Sequence, residues 1–577
     1  MPYFADKKIE RTPYGDLVIG QIPRLLSQID RNPYSPTYGC GDRAFWHYRT
    51  MTDYAAPLHQ EVALTLAIAW QQKRDANPYW QSERLRETAC AAMRFWSKLQ
   101  HKDGSFAEFY PGERSFVATA FTSYAVSEAL LRLGEQVGDE DRCALLTALS
   151  RAAKWLHRHH DIIVVNHTAG AIAMLQNVRI LTGDGLYDEY REAKVEDLLS
   201  YQHEEGWFYE YGGADPGYLS LAVDYLAKDY RHSRDARLRD ALHRALDFMR
   251  YFYHPDGSFG GEYGSRNAKY LMPHGLQLMA AESPAAAQLA ATYTRGLVAG
   301  TVVNPATMDD RYNAFFLNKY SEAWADQQEI QAVAEPEFTN RFFSGAGLLV
   351  RSSPSSYTVL GLSKHGVIKS YTTSPDPSAL YSDTGYFAEF ADGTIGTTQW
   401  LDLDTEYQLW EEGEYLHVNI VGQMALFNTS LPLVRYLIPF RLFLKLAGSC
   451  GRLMDWFGRK VIHRMIIARR QQPLHFERNV CLGPEEMIIT DRLRLTGAKR
   501  LLRLGRSADA TAIHVASSRY VQAADLGVTG AWSAPDEYLE SLNQGQVLEI
   551  ITKVDLSGRR SNSVKHQIED EKEVAAA

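Results

Sequence analysis

The chain has 577 residues, 45% of them hydrophobic and 23% charged, enough for two or more domains with substantial cores at about 100–200 residues each. A formal net charge of -9 excludes a globally basic nucleic-acid binder. The five cysteines, Cys40, Cys90, Cys143, Cys450 and Cys481, are odd in number and have no C-x-x-C pairing, which argues against a disulfide framework and a structural zinc site. Aromatics reach 12%; rings with a polar edge fill cores and also stack on sugars. The N-terminus, Met1-Pro-Tyr-Phe-Ala-Asp-Lys-Lys, lacks the apolar run of a secretory signal, so a cytoplasmic protein is expected.

Up to about residue 330 the apolar spacing is helical. Leu85, Ala89, Ala92, Trp96 and Leu99 fall at helix-face intervals, as do Leu145, Leu149, Ala152 and Leu156. The loops between these helices repeat: Gln100-His-Lys-Asp-Gly-Ser-Phe-Ala-Glu108 is echoed by Gln202-His-Glu-Glu-Gly-Trp-Phe-Tyr-Glu210 and by His254-Pro-Asp-Gly-Ser-Phe-Gly-Gly-Glu262. The acidic residue before each glycine stands at 103, 205 and 256, steps of 102 and 51, as though a copy near 154 had lost its signature. Such a period predicts an array of helix hairpins over 1–331, an (α/α) toroid, with the glycine ending one helix and the closing Glu delivered to one common face.

From about Phe338 the pattern changes to short, β-branched or alternating runs, such as Ser356-Tyr-Thr-Val-Leu-Gly-Leu and Glu486-Met-Ile-Ile-Thr-Asp-Arg-Leu-Arg-Leu. These predict an antiparallel β-sandwich over 340–556, with the boundary in the acidic, Pro-containing stretch 332–339. Residues 559–577 are polar and charged and are expected to be a disordered tail. Between 431 and 470 the β signal stops. Leu431-Pro-Leu-Val-Arg-Tyr-Leu-Ile-Pro-Phe-Arg-Leu-Phe-Leu-Lys-Leu-Ala is apolar with basic punctuation, and Asp455 is the only acid before Arg470. This basic amphipathic insertion is too interrupted to span a bilayer. It fits either packing on the sandwich, or contact with an anionic glycan or peripherally with the inner face of a membrane.

Four clusters carry chemistry. The first runs from Asp103 through Glu108 to Arg114, and the second is Asn166-His167, opening an apolar helix. Glu210, Tyr211, Asp215 and Tyr218 form the third; Glu262, Arg266 and Asn267 form the fourth, with His274 further on. Each has a structural alternative: Asn166 as a helix N-cap, Asp215-Pro-Gly as a helix start, Tyr218 as a core ring, Glu113-Arg114 as a solvated pair.

Asn-His opening a helix, followed by Gly206-Trp-Phe-Tyr-Glu210 and a downstream Tyr, resembles the heparinase II/III-like polysaccharide lyases, including the oligoalginate lyases. The order of helices then sandwich is similar to that group. The resemblance implies β-elimination on a uronic-acid-containing glycan. Asn166 and His167 would neutralise the uronate carboxylate, and Tyr218, or Tyr211 as second choice, would be the base. Arg114, Glu108, Glu210, Asp215, Arg266, Asn267 and, from the sandwich, His365 would bind substrate. The paired histidines that relatives carry early in the sandwich are missing, so neither a metal nor any cofactor is expected. The substrate is then an anionic polysaccharide or oligosaccharide. A glycoside hydrolase, a uronate C5-epimerase and a non-catalytic glycan-binding protein are the competing readings.

Overall fold

A computed structural model describes residues 12–48, 52–161, 164–327, 339–373, 377–427, 434–448, 450, 453–454, 470–512, 520–521 and 523–569. Among these residues twelve α-helices come first: α1 Pro13–Gln28, α2 Val62–Gln71, α3 Glu83–Leu99, α4 Phe116–Leu133, α5 Asp139–Arg158, α6 Val165–Thr182, α7 Leu186–Leu199, α8 Pro216–Ser233, α9 Ala236–Met249, α10 Pro273–Met279, α11 Pro284–Ala299 and α12 Asp310–Ala325. The even-numbered helices close a ring, each packing on the next and α12 returning to α2, while the odd-numbered helices lie outside them. The two sets differ in sequence for a physical reason. Outer helices such as α3 and α9 bury only one stripe, whereas α4, α6 and α8 are buried nearly all round.

The three loop repeats are superimposable in their hydrogen bonding. His101, His203 and His254 each donate a backbone N–H to the carbonyl four or so residues on, and accept one from Gly104, Gly206 and Gly257. Gln100 and Gln202 each bond the loop glycine's carbonyl and an outer-helix carbonyl, Ala148 or Ala241. Gly104 and Gly206 both have φ +103, and a Cβ there would stand 2.4 Å or 2.2 Å from the carbonyl oxygen of Arg151 or Arg244. Both conformation and space therefore require glycine.

The ring interior is charged. Lys228 lies 2.6 Å from Asp224 and 2.7 Å from Glu322, and Lys319 lies 3.2 Å from Glu61. Arg132 and Arg231 share Glu128 and Asp326, and His274 reaches Asp326 at 2.9 Å. His274, grouped with the cleft residues in the sequence, thus belongs to this interior network.

Strands Arg341–Phe343, Leu348–Ser352, Ser356–Gly361, Val367–Thr372 and Ala379–Asp383 form a five-stranded antiparallel meander. Its faces are divided between two cores. Leu348, Val350, Val359 and Val367 pack with the toroid, while Leu349, Leu360 and Ile368 pack against the second sheet. This second sheet has ten strands, with Tyr415–Phe427 and Gln471–Leu482 at its centre. Among the described residues the ladders between strands are antiparallel, and one isolated parallel bridge joins Tyr381 to Thr529. The expected boundary stretch 332–339 lies outside the described residues, apart from Thr339. The tail expected to be disordered is corrected in part: Ser563–Glu569 is the edge strand, paired along Val547–Lys553, and Ile568 packs on the sandwich core. Its polar composition is that of a solvated edge; residues 570–577 lie outside the described residues. Within the 431–470 insertion, Val434–Ala447 is a helix, α13, and 455–469 lie outside the described residues.

Replacing Lys228 by Met leaves Asp224 and Glu322 buried without their cation. It is expected to cost about 3–5 kcal/mol, read as a lowered urea midpoint, whereas the same change at exposed Lys565 should leave the midpoint nearly unmoved.

Candidate functional site

Because every inner helix runs the same way, their N-termini and the loops before them share one end of the toroid. The loop before α4 brings Glu108, the loop before α6 brings Asp161, and α6 itself brings Asn166 and His167. The loop before α8 brings Glu210 and Tyr211, α8 brings Tyr218, the loop before α10 brings Arg266, and α12 brings Arg311. Helix N-termini carry partial positive charge, so this end favours an anion.

His167 turns Nδ1 to the Asp161 carboxylate at 2.7 Å. With the Nδ1 proton held there, Nε2 is the acceptor, and no described protein group bonds it. Tyr211 sits at φ +55 with the Arg266 guanidinium 3.7 Å above its ring and Tyr218 edge-on at 5.8 Å. Burial pushes the Tyr211 phenol well above its ordinary range, with Arg266 opposing that shift, so the phenol keeps its proton at neutral pH. Arg266 has no carboxylate partner among the described residues. Arg311 lies over Phe109 at 4.8 Å and only 3.9 Å from Glu108. Two guanidinium groups with little or no protein counter-charge therefore line the cleft.

The three repeat-terminal glutamates occupy one repeat position in three environments. Glu108 accepts from Ser115 at 2.8 Å, and burial beside Glu113 pushes its carboxyl up to about 8. Glu210 is fully buried, receives the Asn166 backbone N–H at 3.0 Å and its side-chain amide at 2.8 Å, and burial raises it well above the carboxylate range. Glu262 lies between Lys269 at 3.1 Å and Lys369 at 2.6 Å; burial opposes its ionisation, but the two cations prevail and lower it to about 2.

Several expected contacts turn away from the cleft. Asn166 is fully buried and its amide is spent on Glu210, so it and Glu210 underlie the surface. Asp215 is the N-cap of α8: one oxygen accepts from Tyr218 N at 3.0 Å, the other from Arg266 N at 2.8 Å, which shapes the cleft without facing it. Arg114 is engaged by Asp103 at 3.1 Å and by the Gly112 and Gly448 carbonyls, while Glu113 accepts from the Glu108 and Phe109 backbone N–H groups, so the two do not form the solvated pair either. Asn267, at φ +59, is a buried inter-domain link that donates to Gln399 at 2.9 Å and accepts from Lys364 at 2.7 Å. His365 points Nδ1 at the Thr398 and Trp400 carbonyls inside the sandwich. It secures the loop whose Leu401 packs on Gly213, beside Tyr211, and so supports the cleft indirectly.

The sequence reading missed Asp161, Arg311 and Lys364. Asp161 carried a faint signal as an acid one turn before a helix-opening Asn-His. Arg311 was hidden in a helix cap, Asp309-Asp310-Arg311, and Lys364 between two strands; neither stood out in sequence.

The family model for the ulvan lyase N-terminal domain matches residues 77–291, the stretch from α3 into α11 that supplies most of the cleft. No curated protein sequence matches. Among solved structures, a Paenibacillus xanthan lyase is 9% identical with a TM-score of 0.50, covering 96% of this chain and 54% of its own. This chain thus spans about half the length of that protein. The chondroitin AC lyase of Streptomyces coelicolor A3, in complex with chondroitin sulphate, is 11% identical with a TM-score of 0.48, covering 96% of this chain and 80% of its own. A heparinase III is 10% identical with a TM-score of 0.48, covering 99% of this chain and 84% of its own. The likeness to the xanthan lyase is one of fold alone, a toroid followed by a sandwich.

Glu108 gives this site a pH signature. Its carboxyl is protonated in the folded chain up to about 8, against an ordinary 4.5, so between those values the unfolded chain binds fewer protons and folding stability falls as pH rises. A protonated-carboxyl infrared band that titrates near pH 8 and is absent in Glu108→Gln is expected, together with a smaller loss of stability across that window in the variant.

Proposed function

We propose that this chain is a polysaccharide lyase that cleaves a uronic-acid-containing glycan by β-elimination. The observation that carries this reading is the grouping of a carboxylate-oriented histidine, a protonated phenol and two under-compensated guanidiniums at the helix N-terminal end of the toroid. The lyase-type domain match over 77–291 supports the same class.

The chemistry assigns the roles. A proton on C5, α to a carboxylate, leaves only if the developing enolate-like charge is stabilised, and preorganised donors are worth about 3–4 kcal/mol each for such charge. Arg266, with Arg311 across the cleft, takes the uronate carboxylate. This replaces the expected Asn166 contact, because the amide is held by Glu210. His167 Nε2 accepts the C5 proton while Asp161 holds Nδ1 and stabilises the imidazolium formed. The electrons of the C5–H bond become the C4–C5 double bond, and the C4–O bond breaks. The Tyr211 hydroxyl gives its proton to the leaving oxygen, with Tyr218 packed behind it. Tyrosine as base would require a phenolate, which burial disfavours at Tyr211; the acid role fits better. Peripheral membrane contact is a separate property of the 431–470 insertion, and it rests on the exposed apolar residues of α13.

Incubation with uronate polymers and oligosaccharides, read by near-ultraviolet absorbance of the unsaturated product, tests the reaction. Absorbance should grow in wild type and fall about 10²–10⁴-fold in His167→Ala and about 10²–10³-fold in Arg266→Met, with folding unchanged by circular dichroism. New reducing ends without absorbance would instead support a hydrolase. Exchange of the C5 hydrogen at constant chain length would support an epimerase.

A further inference from the structure

Helix α13 leaves the sandwich between the strands Tyr415–Phe427 and Gln471–Leu482 and lies against the rim of the toroid. Its inner face is apolar and occupied: Phe440, Phe443, Leu444 and Ala447 gather with Tyr110, and the Phe440 and Tyr110 rings meet edge-on at 6.0 Å. Gly448 and Gly112 touch so closely that a Cβ on Gly112 would stand 2.7 Å from the Gly448 Cα. Arg114 donates to the Gly448 carbonyl at 3.1 Å, and Arg441 reaches Asp53 at 3.0 Å. The helix is thus seated on the 110–114 loop, whose Glu113 accepts the backbone N–H of cleft residue Glu108 at 2.8 Å.

Its outer face is apolar as well. Ile438, Leu442 and Leu446, one helical turn apart, are 63%, 56% and 73% exposed, and Tyr436 is 64% exposed. A helix that is apolar on both faces is ordinarily buried on both, and a contiguous exposed apolar face marks an interaction surface. Charge identifies its partner. Residues 431–470 hold nine Lys and Arg against one Asp, a formal +8 in a chain whose net charge is -9. Arg435 and Lys445 flank the exposed row on α13 and are themselves exposed. Among the described residues, no helix is long and apolar enough to cross a membrane.

We propose that the outer face of α13 docks this protein in the interface of an anionic lipid bilayer, placing the rim of the cleft at the membrane surface. Apolar side chains enter the acyl boundary while the basic residues meet lipid headgroups, and the inner face keeps the toroid fixed relative to the bilayer. The glycan acted on is then one held near a membrane. This docking stands on the exposed face of α13 and the basic charge of the 431–470 segment, independently of the lyase reading.

Sedimentation of the full-length protein with phosphatidylcholine vesicles, with and without phosphatidylglycerol, tests it. Binding is expected only to the anionic vesicles, weakened by salt, and about tenfold or more weaker in Leu442→Asp/Leu446→Asp. Both leucines are exposed, so the variant should fold normally by circular dichroism and retain any glycan activity of the wild type. Equal binding to neutral vesicles would overturn the assignment of an anionic partner. No vesicle binding, with dimerisation in sedimentation velocity that the same variant abolishes, would make a second copy the occupant. No vesicle binding, with variant-sensitive binding to immobilised heparin, would make it an anionic glycan.

Discussion

Placing charge inside a ring of helices sets a strong condition on the toroid. Lys228 between Asp224 and Glu322, Lys319 on Glu61, and the Glu128–Arg132–Arg231–Asp326 cluster connect α2, α4, α8 and α12 across the interior. Such groups are tolerated away from water only when each has its partner. Apolar helices could slide along one another at small cost, but these cannot, because a shift of one turn would strand several charges at once. The network therefore fixes the axial register of these helices, and with it the relative heights of their N-termini, where Tyr218 and Arg311 are carried.

The sandwich completes the cleft from outside. Its first sheet is apolar on both faces because one packs on the toroid and the other on the second sheet. Across that contact Lys364 holds Asn267 and Lys369 holds Glu262, which Lys269 of its own loop also pairs. Both anchors lie in the loop that carries Arg266. The loop 398–402, tied down by His365, presses Leu401 against the Gly212–Gly213 turn beside Tyr211. Two residues at the candidate site are thus positioned by the sandwich, which is a physical reason for toroid and sandwich to occur together.

One repeat position yields three chemistries. Glu108, Glu210 and Glu262 close homologous loops, yet one is pushed up to about 8, one is a buried partner of Asn166 raised well above the usual carboxylate range by burial, and one is lowered to about 2 by two lysines. Sequence periodicity reports backbone equivalence. Protonation reports what lies within a few ångströms, and those neighbours come from non-equivalent parts of the chain.

That difference separates what the sequence determined from what required the tertiary structure. Local hydrogen bonding and close approach demand Gly104 and Gly206, so the hairpin repeat and the toroid were legible. The change from helical to alternating periodicity announced the antiparallel sandwich, and the Asn166-His167 and 206–210 motifs pointed to the right class of fold. The sequence also showed the basic apolar segment 431–470, because composition is a local property. It did not determine that Asn166 would be taken by Glu210, that Asp161 would orient His167, that Arg266 would lie over Tyr211, or that Arg311 would cross to Glu108. Each of these depends on residues from different loops meeting when the ring closes. Which groups face the cleft, and in which protonation state, was decided only by closure of that ring and by the sheet packed against it.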